Sequence, residues 1–89
     1  LDLSGCISFG VKNMRYMFYG CYNLESLNLS GWDTSNVKNM SMMFMRCSGL
    51  KSLDLSGWDT SNIEIMRMSG MFSDCPAPYE VVNKKIIKK

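Results

Sequence analysis

Nine methionines and four cysteines are the residues of this 89-residue chain best suited to chemistry. Thioether and thiolate sulfur favour soft ions such as Cu(I). Met14 and Met17 precede Cys21, and Met40 and Met43 precede Cys47 at the same spacing. Four cysteines in a short chain also admit two disulfides, with three connectivities. Zinc fits poorly, because the chain has no histidine and no Cys-x-x-Cys. The missing histidine also removes the usual proton shuttle near neutral pH. Asp33 and Asp59 are paired carboxylates that could act as acid and base or join a calcium site. Thr34-Ser35 and Thr60-Ser61 follow them directly, which reads instead as capping. No constellation supports catalysis, and the chain is expected to be non-enzymatic, with no cofactor and no metal.

These residues recur with a period. Leu1-Asp2-Leu3-Ser4-Gly5 returns as Leu27-Asn28-Leu29-Ser30-Gly31 and as Leu53-Asp54-Leu55-Ser56-Gly57, 26 residues apart each time. Leu27–Val37 and Leu53–Ile63 differ only at Asn28/Asp54 and Val37/Ile63. A period of 26 lies in the range of leucine-rich repeats. On it, Met14, Met40 and Met66 share one position, and Met17, Met43 and Met71 another. Cys21, Cys47 and Cys75 share a third. The third unit carries two extra residues between Met66 and Met71, where its register slips. Sulfur ladders in one phase with Val37 and Phe44 read as core, which Met fills well. Met42, Met45 and Met68 fall off that phase and are expected to be partly exposed. The cysteine column reads as free buried thiols, with one bridge between neighbouring units as the rival.

The elements that must position these side chains follow from the pattern. Leu24-x-x-Leu27-x-Leu29 and Leu50-x-x-Leu53-x-Leu55 alternate as short strands, broken by Ser-Gly. After Asp-Thr-Ser, the spacing of Val37, Met40, Phe44 and Cys47 predicts a helix of two to three turns. No single unit can bury its own stripe, so neighbours must stack. The expected fold is an α/β leucine-rich-repeat solenoid of three repeats, with short parallel strands on the concave side and short helices on the other. Residues 1–78 form the repeats (1–26, 27–52, 53–78), and 79–89 form a C-terminal capping strand and basic tail. The expected binding face is the concave column Asp2, Asn28 and Asp54 with Ser4, Ser30 and Ser56. Trp32 and Trp58 share one position and are expected to pack between the sheet and the helix layer.

The motif Leu-x-Leu-Ser-Gly-Trp-Asp-Thr-Ser-Asn-Val-x-Asn-Met-x-x-Met-Phe-x-x-Cys resembles the 26-residue unit of BspA-like leucine-rich-repeat surface proteins of mycoplasmas and other bacteria. The match runs through Leu27, Leu29, Trp32 (for Phe), Asp33, Thr34, Ser35, Asn36, Val37, Asn39, Met40, Met43, Phe44, Cys47 and Leu50. The resemblance spans Leu1 to about Cys75. It implies a solenoid borne on a cell-surface or secreted protein, often a lipoprotein, that adheres to host or matrix proteins. The first unit departs with Cys6 in place of Trp and Ile7-Ser8-Phe9-Gly10 in place of Asp-Thr-Ser-Asn. The third departs with its insertion and with Pro76-Ala77-Pro78.

Composition agrees with a small folded domain: 46% hydrophobic, 20% charged, net charge +2. Lys84, Lys85, Lys88 and Lys89 set that sign, since without them six basic residues face eight acidic ones. They read as a solvated terminus rather than a nucleic-acid contact, and no apolar run approaches the ~20 residues of a membrane span. The expected function is a repeat module of a bacterial surface protein that binds a host or matrix protein. A structural spacer, or a soft-metal protein using Met and Cys, are the alternatives. The chain begins inside the repeat pattern without an initiator Met, so it is expected to be cut from a longer protein. End-to-end self-association through its first strand remains open.

Overall fold

The computed structural model describes residues 1–5, 10–60, 63, 65–82 and 85–88, and only the backbone of Ile65 and Met66. Strand β1 (Ser26–Asn28) pairs in parallel with β2 (Ser52–Asp54), Leu27 opposite Leu53. Asp2 forms a parallel bridge to Asn28, which extends the ladder by one residue of the first unit. Leu27, Leu29, Leu53 and Leu55 turn inward and are buried. The tail folds as a separate antiparallel hairpin of β3 (Tyr79–Val82) and β4 (Lys85–Lys88), with Tyr79 opposite Lys88.

The expected α/β leucine-rich-repeat solenoid is not the fold. Among the described residues the only helical element is a four-residue 3-10 turn, Ile65–Met68, so there is no helix layer and no concave face set by one. The molecule measures 29 × 28 × 21 Å and has no long axis. Two causes defeat the predicted helices. The Asn39 side-chain oxygen takes the N–H of Ser41 at 3.0 Å, a local bond that competes with helix. Met42 and Arg46 adopt φ of 56° and 61°, a left-handed conformation that no right-handed helix contains.

Those left-handed residues recur from unit to unit. Tyr16, Met42 and Gly70 form one set, and Gly20, Arg46 and Asp74 another, with φ between 56° and 72° throughout. Each flip aims every second peptide group along the direction of stacking. The N–H groups of Met14, Tyr16, Phe18 and Gly20 donate to the carbonyls of Asn39, Ser41, Met43 and Met45, at 2.8–3.2 Å. Those of Met40, Met42, Phe44 and Arg46 donate onward to Arg67, Ser69, Met71 and Ser73, at 2.8–3.0 Å. Intervening peptides close turns within a unit, as from Cys47 N–H to the Phe44 carbonyl at 3.2 Å.

This register corrects the reading of the insertion. Met68, not Met66, follows Met14 and Met40, so the two extra residues fall before Met68, where the 3-10 turn lies. Met68 is accordingly buried rather than partly exposed, whereas Met42 and Met45 are half-buried. Met43 and Met71 are buried on their shared rung, and Met17, at its end, is 42% exposed.

Side chains stack on the same repeat. Phe18, Phe44 and Phe72 lie ring over ring at 5.6 and 5.5 Å, and Tyr79 of β3 adds a fourth ring at 6.2 Å. Each pair adds about 0.5–1.5 kcal/mol beyond its burial. Trp32 and Trp58 stack at 6.4 Å, and each indole N–H donates to the preceding unit, Trp32 to the Leu3 carbonyl at 2.8 Å and Trp58 to that of Leu29 at 2.9 Å. Asp33 and Thr34 cap no helix. Asp33 closes a turn onto Ser35, and the buried Thr34 hydroxyl donates to the Asp59 carbonyl while accepting the Asp59 N–H, both at 3.0 Å. Gly49 lies where a β-carbon would collide with the Tyr22 carbonyl.

The left-handed positions are testable at Arg46, whose rung holds glycine in the first unit. Arg46→Val places a β-branched residue at positive φ and is expected to lower stability by about 1–2 kcal/mol. Arg46→Gly is expected to change it by less than half as much, because relief of strain offsets the added unfolded-state entropy. Thermal unfolding of both variants measures the difference.

Candidate functional site

The expected binding residues are aligned by the strand ladder, which places Asp2 beside Asn28 and Asn28 beside Asp54. Their side chains turn back on their own loops. Oδ1 of Asp2 accepts the Ser4 N–H at 2.9 Å and the Ser4 hydroxyl at 2.6 Å. Asn28 takes the Ser30 N–H at 2.9 Å, and Asp54 takes both the N–H and the hydroxyl of Ser56. These are turns in which a side-chain oxygen mimics a backbone carbonyl. The two carboxylates titrate below their ordinary range because the serine hydroxyl, then the serine N–H, bonds the charged form. Lys88 of β4 adds a smaller pull on Asp54. The column is therefore a charged, rigidly held edge whose Oδ1 atoms already have partners.

A second surface escaped the repeat-based reading. Tyr16, Met17 and Tyr19 are each 42% exposed and Tyr22 is 65% exposed, all on the first unit. Tyr16 and Tyr19 meet edge to face at 5.5 Å. The Arg15 guanidinium lies 4.8 Å above the Tyr16 ring, and its Nη2 donates to the Tyr16 hydroxyl at 3.4 Å. Left-handed backbone at Tyr16 and Gly20 fixes this segment. Later units carry Met42 and Gly70, Met45 and Ser73, and Ser48 and Pro76 at the three tyrosine rungs, so the aromatic character belongs to the first unit alone. That departure from the repeat was the available signal. An open groove of about 850 Å³ continues from Tyr22 past Arg46, Ser48, Asp74 and Pro76.

Cys21, Cys47 and Cys75 form no disulfide, whereas Cys6 and the Met66 side chain lie outside the described residues. Cys47 is fully buried and donates to the Phe18 carbonyl at 2.9 Å. Burial pushes its pKa up to about 11 from an ordinary 9.0. Among the described residues no group of three or more Cys, Asp or Glu is placed to hold a metal ion. None of the helices there is long and apolar enough to cross a membrane.

Two pH limbs follow. The depressed Asp2, Asp33 and Asp54 contribute stability that is present above pH 3.8 and lost as pH falls below it through their folded-state values. Asp2→Asn with Asp54→Asn keeps the turns, as Asn28 does natively, and is expected to flatten that acid limb in unfolding titrations. Raised Cys47 favours the neutral thiol, so its contribution is whole below pH 9.0 and is lost between there and about 11. At pH 8 a thiol reagent is expected to leave Cys47 unmodified until the chain unfolds, as read by mass spectrometry after proteolysis.

No curated protein and no solved structure matches the chain. A family model described as mycoplasma protein of unknown function, DUF285, matches residues 7–86, a span that takes in the stacked units from residue 7 onward, the tyrosine segment and most of the hairpin. The chain belongs to that family.

Proposed function

We propose that this chain is a non-enzymatic binding module of a bacterial surface protein, displayed at the cell surface or secreted, and that it engages a host or matrix protein through the first-unit surface of Arg15, Tyr16, Met17, Tyr19 and Tyr22. One observation carries the reading: three tyrosines, a methionine and an arginine of the first unit stand exposed, whereas the other aromatic and sulfur side chains among the described residues are buried or half-buried. Tyr, Met and Arg are the side chains enriched in protein interfaces. Tyrosine offers a large contact area at small entropic cost, and Tyr16 and Tyr19 are already oriented by one another and by Arg15. The resemblance of the repeat to BspA-like surface proteins supports the location and the partner class.

A second reading rests on the aligned Asp2, Asn28 and Asp54 with Ser4, Ser30 and Ser56. Its carboxylates keep their charge and have outward oxygens, which suits a basic partner. Capture of the folded chain on immobilised matrix proteins separates the two. Tyr16→Ser with Tyr19→Ser is expected to weaken capture at least tenfold, while Asp2→Asn with Asp54→Asn leaves it within twofold. The reverse pattern transfers the site to the aspartate column. Absence of capture by the parent chain overturns the binding reading in favour of a structural spacer.

A further inference from the structure

We propose that the cleft between the end of the third unit and β4 is a binding slot for a planar aromatic bearing an N–H donor, with indole as the type ligand. This site is separate from the tyrosine surface and does not depend on it.

The cleft has a volume of about 310 Å³ and is lined by the apolar and aromatic Leu55, Trp58, Tyr79, Ile86 and Ile87 and by the polar Asp59, Thr60 and Lys85. That is the small, mostly apolar character of ligand pockets, which run from ~300 Å³ upward. Its shape is inherited from the repeat. In two successive places an indole lies flat in the stack and donates its N–H to a leucine carbonyl of the preceding unit: Trp32 to Leu3, and Trp58 to Leu29. The next place in that series has Trp58 as its floor and the Leu55 carbonyl as its acceptor.

The acceptor has capacity to spare. The Leu29 carbonyl takes two donors, the backbone N–H of Trp32 at 3.4 Å and the indole of Trp58 at 2.9 Å. The Leu55 carbonyl takes the backbone N–H of Trp58 at 3.2 Å and, among the described residues, no indole. A carbonyl oxygen has two lone pairs, and the donors among the described residues occupy one of them.

The hairpin completes one aromatic column but not the other. Tyr79 sets a fourth ring over Phe72. At the Trp58 column it supplies no ring, and the cleft is bordered there by Ile86, which packs against the core, and by the strand at Ile87. An indole entering there makes on Trp58 the contact that Trp58 makes on Trp32.

The test uses the intact chain, labelled with ¹⁵N and titrated with indole and with 1-methylindole, which has the same flat ring but no N–H. Indole is expected to shift the amides of Leu55, Trp58 and Ile86 together, and 1-methylindole to bind about three- to tenfold more weakly, as loss of one hydrogen bond implies. Equal affinities would overturn the hydrogen-bonded slot. Shifts confined to Tyr16, Tyr19 and Tyr22, or no saturable shifts up to the solubility of indole, would overturn the site. N-acetyltryptophanamide distinguishes the sources: binding as tight as that of indole assigns the slot to a tryptophan side chain of a partner protein, and binding only by indole assigns it to a small molecule. Trp58→Phe is expected to weaken indole while the Tyr16→Ser, Tyr19→Ser variant leaves it unchanged.

Discussion

Every second peptide group between Met14 and Gly20 points along the stack, and most of the molecule depends on that alignment. The C=O of Asn39 and the N–H of Met40 belong to one peptide, which accepts from Met14 and donates to Arg67. Three further chains of the same kind run beside it. Hydrogen bonds linked in series polarise one another, so the units are joined by four short chains instead of by internal helical bonds. The left-handed residues are what this costs, and the stacked phenylalanines are what it brings into contact. Because alternate N–H groups go to the next unit and those between them close three-residue turns, no run of i→i−4 bonds can form, and a helix cannot coexist with the stack.

Much of this was legible in the residues and some was not. Exact recurrence of Leu-x-Leu-Ser-Gly fixed the 26-residue phase, and with it the pairing of β1 with β2 and the inward leucines. The columns of Met, Phe and Trp followed from the same phase. The helix did not survive, because the spacing of Val37, Met40, Phe44 and Cys47 fits one inward face whether the backbone coils or turns. Gly20 and Gly70 were the clue: glycine at one member of a rung points to a left-handed position that the other members must share. The slip of the third unit was visible, but sequence matching placed it after Met66, since one methionine aligns with Met40 as well as another. Only the hydrogen-bond register chooses Met68.

The candidate surfaces divide along the same line. The Asp2, Asn28 and Asp54 positions were found because they repeat, and repetition here reflects a structural task, closing the turn onto the serine two residues on. The tyrosines were passed over because they do not repeat. In a chain whose core is built by recurrence, the side chains released from that duty are the ones free to meet something else. Tyr16, Tyr19 and Tyr22 satisfy this on the first unit. The cleft above Trp58 satisfies it in reverse, as a recurrent position that the chain leaves without its next member.

The aligned peptides also give the molecule an electrical polarity. Their dipoles point the same way, so they add as they do along a helix, with negative carbonyl ends at the first unit and positive N–H ends at the third. The two ends are consequently unlike. Two first units brought face to face would oppose oxygen to oxygen, whereas an approaching row of donors would be drawn in. Any association through this end has a direction written into the backbone, independent of the side chains displayed on it.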